Sequence, residues 1–225
     1  MAISQADGDD ADTVGKEEGM ENVLLVKGQS QYNAMRNYID EIEVGFRLAG
    51  YNTIVIDSQE RSASFQLVQL EKYIKFDLIF TCNAMNTELI GELPGARYVT
   101  YLCDHPATHR ERLKRLDEKS VVFTCDIFYA EYVKEYYPNI KCVVFVPLSG
   151  SYSKKYIPYH ERKYDVVFTG TYKNPQDFYE ETLAAFPEEN RELVGDMMKG
   201  LVNDPHQRRD ICLQHILKEK GVVLP

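Results

Sequence analysis

Six short apolar runs follow one another between residues 22 and 150, each ending at a glycine or a polar residue. They are "NVLLVKG" (22–28), "NTIVIDS" (52–58), "FDLIFTCN" (76–83), "ARYVTYLCDHP" (96–106), "SVVFTCD" (120–126) and "KCVVFVPLSG" (141–150). Between them lie segments with helical periodicity. After the first run Met35, Ile39, Ile42 and Phe46 recur at helical spacing, with Leu48 or Ala49 continuing the series and Gly50 as the stop. Phe65, Val68, Leu70 and Ile74 mark a second helix, and Thr87–Leu93 a short third one. "THRERLKRLDE" predicts an exposed helix, and a tyrosine-rich helix runs to Tyr137 before Pro138. Strands that are apolar throughout are buried on both faces, so the alternation predicts an α/β fold, a doubly wound parallel sheet over residues 21–150.

Composition bounds what such a domain binds. The chain has 225 residues and a formal charge of −9, with seven acidic residues and one lysine in its first 21 positions. That balance argues against non-specific nucleic-acid binding, which needs clustered Lys and Arg. Residues 1–20 are polar and acidic and predict a disordered leader; they lack the basic start and apolar run of a signal peptide. No stretch is apolar for long enough to span a bilayer, and a cytoplasmic location is expected. The cysteines, Cys82, Cys103, Cys125, Cys142 and Cys212, are odd in number and form no CxxC pair. Four sit in strand-like runs, the pattern of reduced, buried thiols.

Residues 151–163 are polar and net basic and read as a linker. A second unit then opens over 164–225: a strand at Tyr164–Thr169, the turn "GTYKN" (170–174), and Asn174-Pro175 as N-cap and first helical residue. Asp204-Pro205 repeats that device for a last helix ending near Lys220, with Gly221 as its C-cap. Helices at 175–200 and 205–220 without a sheet of their own would leave apolar faces uncovered and favour self-association.

Several residues carry chemistry in this pattern. Gly28 ends the first run in "KGQSQYN", where a glycine lets the backbone approach a ligand or simply makes a tight turn. "CDHPATH" (103–109) ends a central strand, beyond which open parallel sheets bind ligands. Asp104 there suits a general base, and His105 a base or a donor to phosphate or hydroxyl; the alternative is that one of them caps the next helix. His105 and His109 stand four apart, as metal ligands on a helix do, but no third ligand is evident. Cys103 as a nucleophile is weaker than a buried strand cysteine. Asp126 suits a helix cap more than a catalytic acid, and Asp57 a ribose contact or a turn cap. In "GTYKN", Gly170 frees the backbone and Lys173 adds a charge suited to a diphosphate; a purely structural turn is the alternative.

Taken in order, "DHP" at the fourth run, the "VPLSGS" exit, the linker and "KYDVVFTGTY" resemble the bacterial GT-B glycosyltransferases of the CgeB-like (spore-maturation) group, over about residues 22–183. The resemblance implies a Rossmann-like N-terminal domain followed by the start of a nucleotide-sugar-binding domain. It implies a metal-independent transferase that moves a sugar from a nucleotide-sugar donor to an acceptor, with no other cofactor. Gly28, Asp104 and His105 would face the cleft from the first domain, and Gly170 and Thr171 would meet the donor diphosphate. The family's further donor-binding elements have no counterpart before Pro225, which implies that the chain is the front part of a longer enzyme. The contrasting expectation is a non-catalytic α/β binding or regulatory module.

Overall fold

All six apolar runs pair into one parallel sheet in the structure, a computed structural model that describes residues 21–29, 34–148, 157–166 and 172–222. The strands are β1 (Asn22–Lys27), β2 (Asn52–Asp57), β3 (Leu78–Cys82), β4 (Arg97–Leu102), β5 (Val121–Thr124) and β6 (Cys142–Phe145). Their order across the sheet is β2-β1-β3-β4-β5-β6. Register is continuous, with Lys27 opposite Asp57, Leu25 opposite Phe80 and Leu102 opposite Thr124.

Both faces of the strands are packed, which is why the runs lack polar alternation. On one face Leu24, Ile79, Tyr98, Leu102 and Val122 form the larger cluster, beneath α2 (Ala63–Leu70), α3 (Leu89–Glu92), α4 (Arg110–Leu113) and α5 (Ile127–Tyr136). On the other, Val23, Leu25, Phe80, Val99 and Tyr101 pack against α1 (Ala34–Leu48) through Met35, Tyr38, Ile39, Ile42 and Phe46. Gly50 ends α1 at φ +91°, a left-handed conformation that a side chain resists.

Local expectations fail in three places. Of the apolar residues that mark the second helix, Leu70 and Ile74 pack against the core, but α2 turns Ala63 and Leu67 to the sheet and leaves Phe65 66% and Val68 51% exposed. "THRERLKRLDE" is not an exposed helix. It makes a 3-10 turn at Pro106–His109 and then the one-turn α4, and Leu113 and Leu116 enter the core. Burying two leucines outweighs the helical propensity of the charged residues between them, at about 1.5–3 kcal/mol for each side chain. Cys142, expected inside, is exposed on the edge strand β6.

The chain divides into two compact units, Met1–Ser151 and Tyr152–Pro225. The described part of the second is helical: α6 (Pro175–Ala184), α7 (Glu188–Asn203) and α8 (Arg209–Glu219). Asn174 caps α6 as expected, accepting from the Gln176 N–H at 2.9 Å, with Pro175 as the first helical residue. Pro187 splits the expected 175–200 helix into α6 and α7. Asp204 closes α7 rather than starting the last helix, which begins at Arg209; Gly221, at φ +65°, follows its end. Gly200 admits α8 against α7, because a Cβ there would stand 2.8 Å from Cys212 Sγ. Lys220 ties the pair, reaching Glu192 at 2.8 Å and Asp196 at 2.9 Å. Of the expected strand at Tyr164–Thr169, the described part, Tyr164–Val166, is not strand; the remainder, with Gly170 and Thr171, lies outside the described residues.

Candidate functional site

The strand order reverses direction at β1. From β1 the chain steps to β2 on one side and then crosses to β3 on the other, so the turns leaving β1 and β3 diverge and open a crevice beyond their carboxyl ends. Gly28 lies there, and a Cβ on it would stand 2.5 Å from both Sδ and Cε of Met85. The thioether of Met85, from the turn after β3, therefore covers the Gly28 backbone. A flexible, polarizable side chain in that place can swing aside for a ligand.

The turn after β3 is strained. Asn83, Ala84 and Asn86 hold φ values of +53°, +49° and +56°. Left-handed geometry costs roughly 1–2 kcal/mol per ordinary residue, least for Asn. Such strain persists where the surroundings over-determine it, as at ligand-facing turns. Here β4 supplies the restraint. Thr100 Oγ1 accepts from the Ala84 N–H at 2.8 Å, and the Tyr98 hydroxyl donates to the Met85 carbonyl while lying 2.7 Å from Thr81 Oγ1. Thr81 and Thr100 are fully buried, and burial raises the Tyr98 phenol far above its ordinary range, so it stays a neutral donor.

Asn83 joins this turn to the predicted cluster at the end of β4. Its Oδ1 accepts from the Cys103 N–H at 2.8 Å, and its Nδ2 donates to Asp104 Oδ2 at 2.8 Å. Arg112 donates to the Asn83 carbonyl at 3.3 Å. Asp104 is thus oriented from one side while its side chain remains 65% exposed. A carboxylate held and yet exposed at the end of β4 can accept a proton or a hydroxyl hydrogen bond.

The two histidines part company. His105 serves as the cap: its Nδ1 accepts from the Ala107 N–H at 3.2 Å, and its ring packs edge-on to Tyr129 and Tyr132, both at 5.1 Å. His109 is half-buried, with 10% of its side chain exposed, and its buried Nε2 lies 3.8 Å from Asp104 Oδ2 with no hydrogen-bond partner among the described residues. His105 precedes the turn that carries His109, so the two do not share a helical face, and no metal-holding cluster occurs among the described residues.

Burial, and then the Arg112 guanidinium, push the His109 imidazole below its ordinary value, against the pull of Asp104. The folded state therefore favours neutral His109. That contribution to stability is present above the unfolded value of about 6.5 and is lost as pH falls below it. The denaturation midpoint should drop between about pH 7.5 and about pH 5.5, and His109→Gln should flatten the slope. An unchanged slope in that variant would assign the effect elsewhere.

The other candidates resolve into structural partners. Asp126 caps α5, accepting from the Phe128 N–H at 2.7 Å. Asp57 is clamped by Arg36 of α1, with one contact at 2.6 Å, and accepts from the Gln59 N–H at 3.0 Å. The Arg36 hydrogen bond holds its carboxyl down at about 2. Burial pushes the Cys103 thiol up to about 12, unsuited to a nucleophile. Lys173 is paired with Glu181 at 2.6 Å. Asn83, Met85 and Arg36 escaped the sequence reading, although two asparagines within "CNAMN" are a left-handed-turn signal in themselves.

No protein-family model matches the chain, and no curated protein and no solved structure matches it significantly. No described helix is long and apolar enough to cross a membrane.

Proposed function

We propose that this chain supplies the acceptor-side domain of a GT-B-type glycosyltransferase, which moves a sugar from a nucleotide-sugar donor to an acceptor hydroxyl. The observation that carries this reading is Asp104: an exposed carboxylate at the carboxyl end of a central strand, held by Asn83 beside the point where the strand order reverses. In the transfer, Asp104 takes the acceptor's hydroxyl proton as that oxygen attacks the anomeric carbon. The bond from that carbon to the leaving oxygen breaks, and the nucleoside diphosphate departs with the electron pair. His105, fixed as a cap, presents its ring beside the same edge. The contact of Met85 with Gly28 supports a ligand approach to the Gly28 backbone once the thioether swings aside.

Calorimetric titration of the chain with UDP-, GDP- and TDP-sugars, paired with a donor-hydrolysis assay, tests the reading. One of the three nucleotides is expected to bind at about millimolar strength, roughly −4 kcal/mol. Its amide shifts should fall on Gly28, Asn83–Asn86 and Asp104. Shifts confined to other surfaces, or no binding by any of the three, would overturn the proposal. As an acceptor-side domain alone the chain is expected to bind weakly at this edge without hydrolysis or transfer, because the reacting atoms are not aligned by one domain.

A further inference from the structure

A concave feature lies between the sheet and the helices of the larger cluster and reaches the carboxyl edge at Ser58 and Asn86. It is a groove of about 530 Å³ between α2 and α3, within the usual size of ligand sites, about 300–1,000 Å³. Leu24, Val26 and Ile56 of the sheet make its floor, and Leu67 and Leu89 of the two helices make its walls. Its charged rim carries one sign: Glu71, Glu88 and Glu92 line it, and no lysine or arginine does. None of these three acids is ion-paired among the described residues.

We infer that this groove is a docking site for a basic amphipathic helix of a partner protein. Three observations favour a helix. First, the layer over this face is thin where the groove lies. Helices normally cover such a face in full, yet α3, which walls the groove, has only four residues. A helix packs on its neighbours at about 8–10 Å between axes, and the space beside α2 lacks one.

Second, the apolar surface continues beyond the groove. Val68 stands at its lip 51% exposed, and Phe65, 66% exposed, extends the ridge along the outside of α2. Such an extended lip suits a helix laid along α2 better than a compact small molecule.

Third, the acids are spread along the groove. Glu71 and Glu92 stand at one end, where both also border the neighbouring hollow beneath Phe76 and Leu93. Glu88 lies further along with Asn86, at the other end of α3. The eight residues of α2 measure about 12 Å, or about two helical turns. The fitting partner presents leucine-sized residues at i and i+4, flanked by Lys or Arg about one turn apart, the spacing of Glu88 and Glu92 across α3. The acidic residues 1–21 of this chain carry the wrong charge to be the occupant.

The probe is a synthetic helical peptide of about 14 residues built from Leu, Ala and Lys, with leucines at i, i+4 and i+7. Its counterpart with Glu in place of Lys is the control. Amide chemical shifts of the chain should move at Ala63, Ser64, Leu67 and Leu89 with the Lys peptide and stay still with the Glu peptide. The combined variant Glu71→Gln, Glu88→Gln, Glu92→Gln should weaken binding about tenfold, and added salt should do the same. Val68→Trp, a change at an exposed lip that leaves the fold intact, should block the groove and abolish the shifts. Equal binding of the two peptides, or binding of the Lys peptide that neither variant reduces, would overturn the inference. So would shifts produced at these amides by phenethylamine but not by the helix, which would make the groove a small-molecule site. These readouts do not depend on sugar transfer, so they stand or fall separately from it.

Discussion

Asn83→Ala is expected to destabilise the first unit by about 2–4 kcal/mol, measured as a lower urea midpoint at an unchanged denaturant slope. Two losses combine. Alanine at φ +53° lacks the asparagine's tolerance of left-handed geometry, a difference of about 1 kcal/mol. Removing the amide also orphans the Cys103 N–H, now bonded at 2.8 Å, and frees Asp104 from its Nδ2 donor. The Cys103 N–H is partly buried, and a donor left without a partner away from water costs about 1–3 kcal/mol. Asn83→Gly separates the two, since glycine accepts the dihedral but supplies no hydrogen bond. It should recover the strain and remain below the wild type by the hydrogen-bond loss. A midpoint for Asn83→Ala within about 0.5 kcal/mol of the wild type would show that the turn after β3 is not held in this way.

Within the transferase reading, and assayed with the donor-binding domain present, Asp104→Asn is expected to lower the single-turnover rate of sugar transfer by about 10²–10⁴-fold, the usual effect of removing a positioned base. The amide keeps the size and one acceptor oxygen of the carboxylate but not its basicity. With 65% of the Asp104 side chain exposed, stability should change by no more than about 0.5 kcal/mol, so loss of rate and loss of fold are distinguishable. His105→Ala makes the comparison. Removing its ring removes the cap on the Ala107 N–H, at about 0.5–2 kcal/mol, and any further effect on rate reports a role for the ring at the edge. Near-wild-type rates in both variants would reduce the "DHP" segment to a structural turn.

Much of the first unit was legible along the chain because its signals are local. A strand buried on both faces must be apolar throughout, so all six strands could be read within a few residues of their ends. Caps are equally local: Asn174-Pro175, Asp126 and Gly50 act over one turn of chain, and each stands where residue type alone placed it. The tertiary structure decided what depends on distant partners. Strand order followed from pairing across the sheet, and with it the position of the crevice at Gly28 and Met85. The rotation of α2 followed from Ala63, whose small side chain lets that face approach the sheet, leaving Phe65 outside. Asn83 meets Asp104 across 21 residues of chain, and Arg36 meets Asp57 across the same separation. One such contact clamps Asp57, read from sequence as a ribose contact or a turn cap, in an ion pair; the other orients Asp104, read as a general base or a helix cap. A hydrogen-bonding side chain bears no mark of its partner in its own neighbours. Backbone periodicity is therefore written in the sequence, while the assembly of a site is written only in the fold.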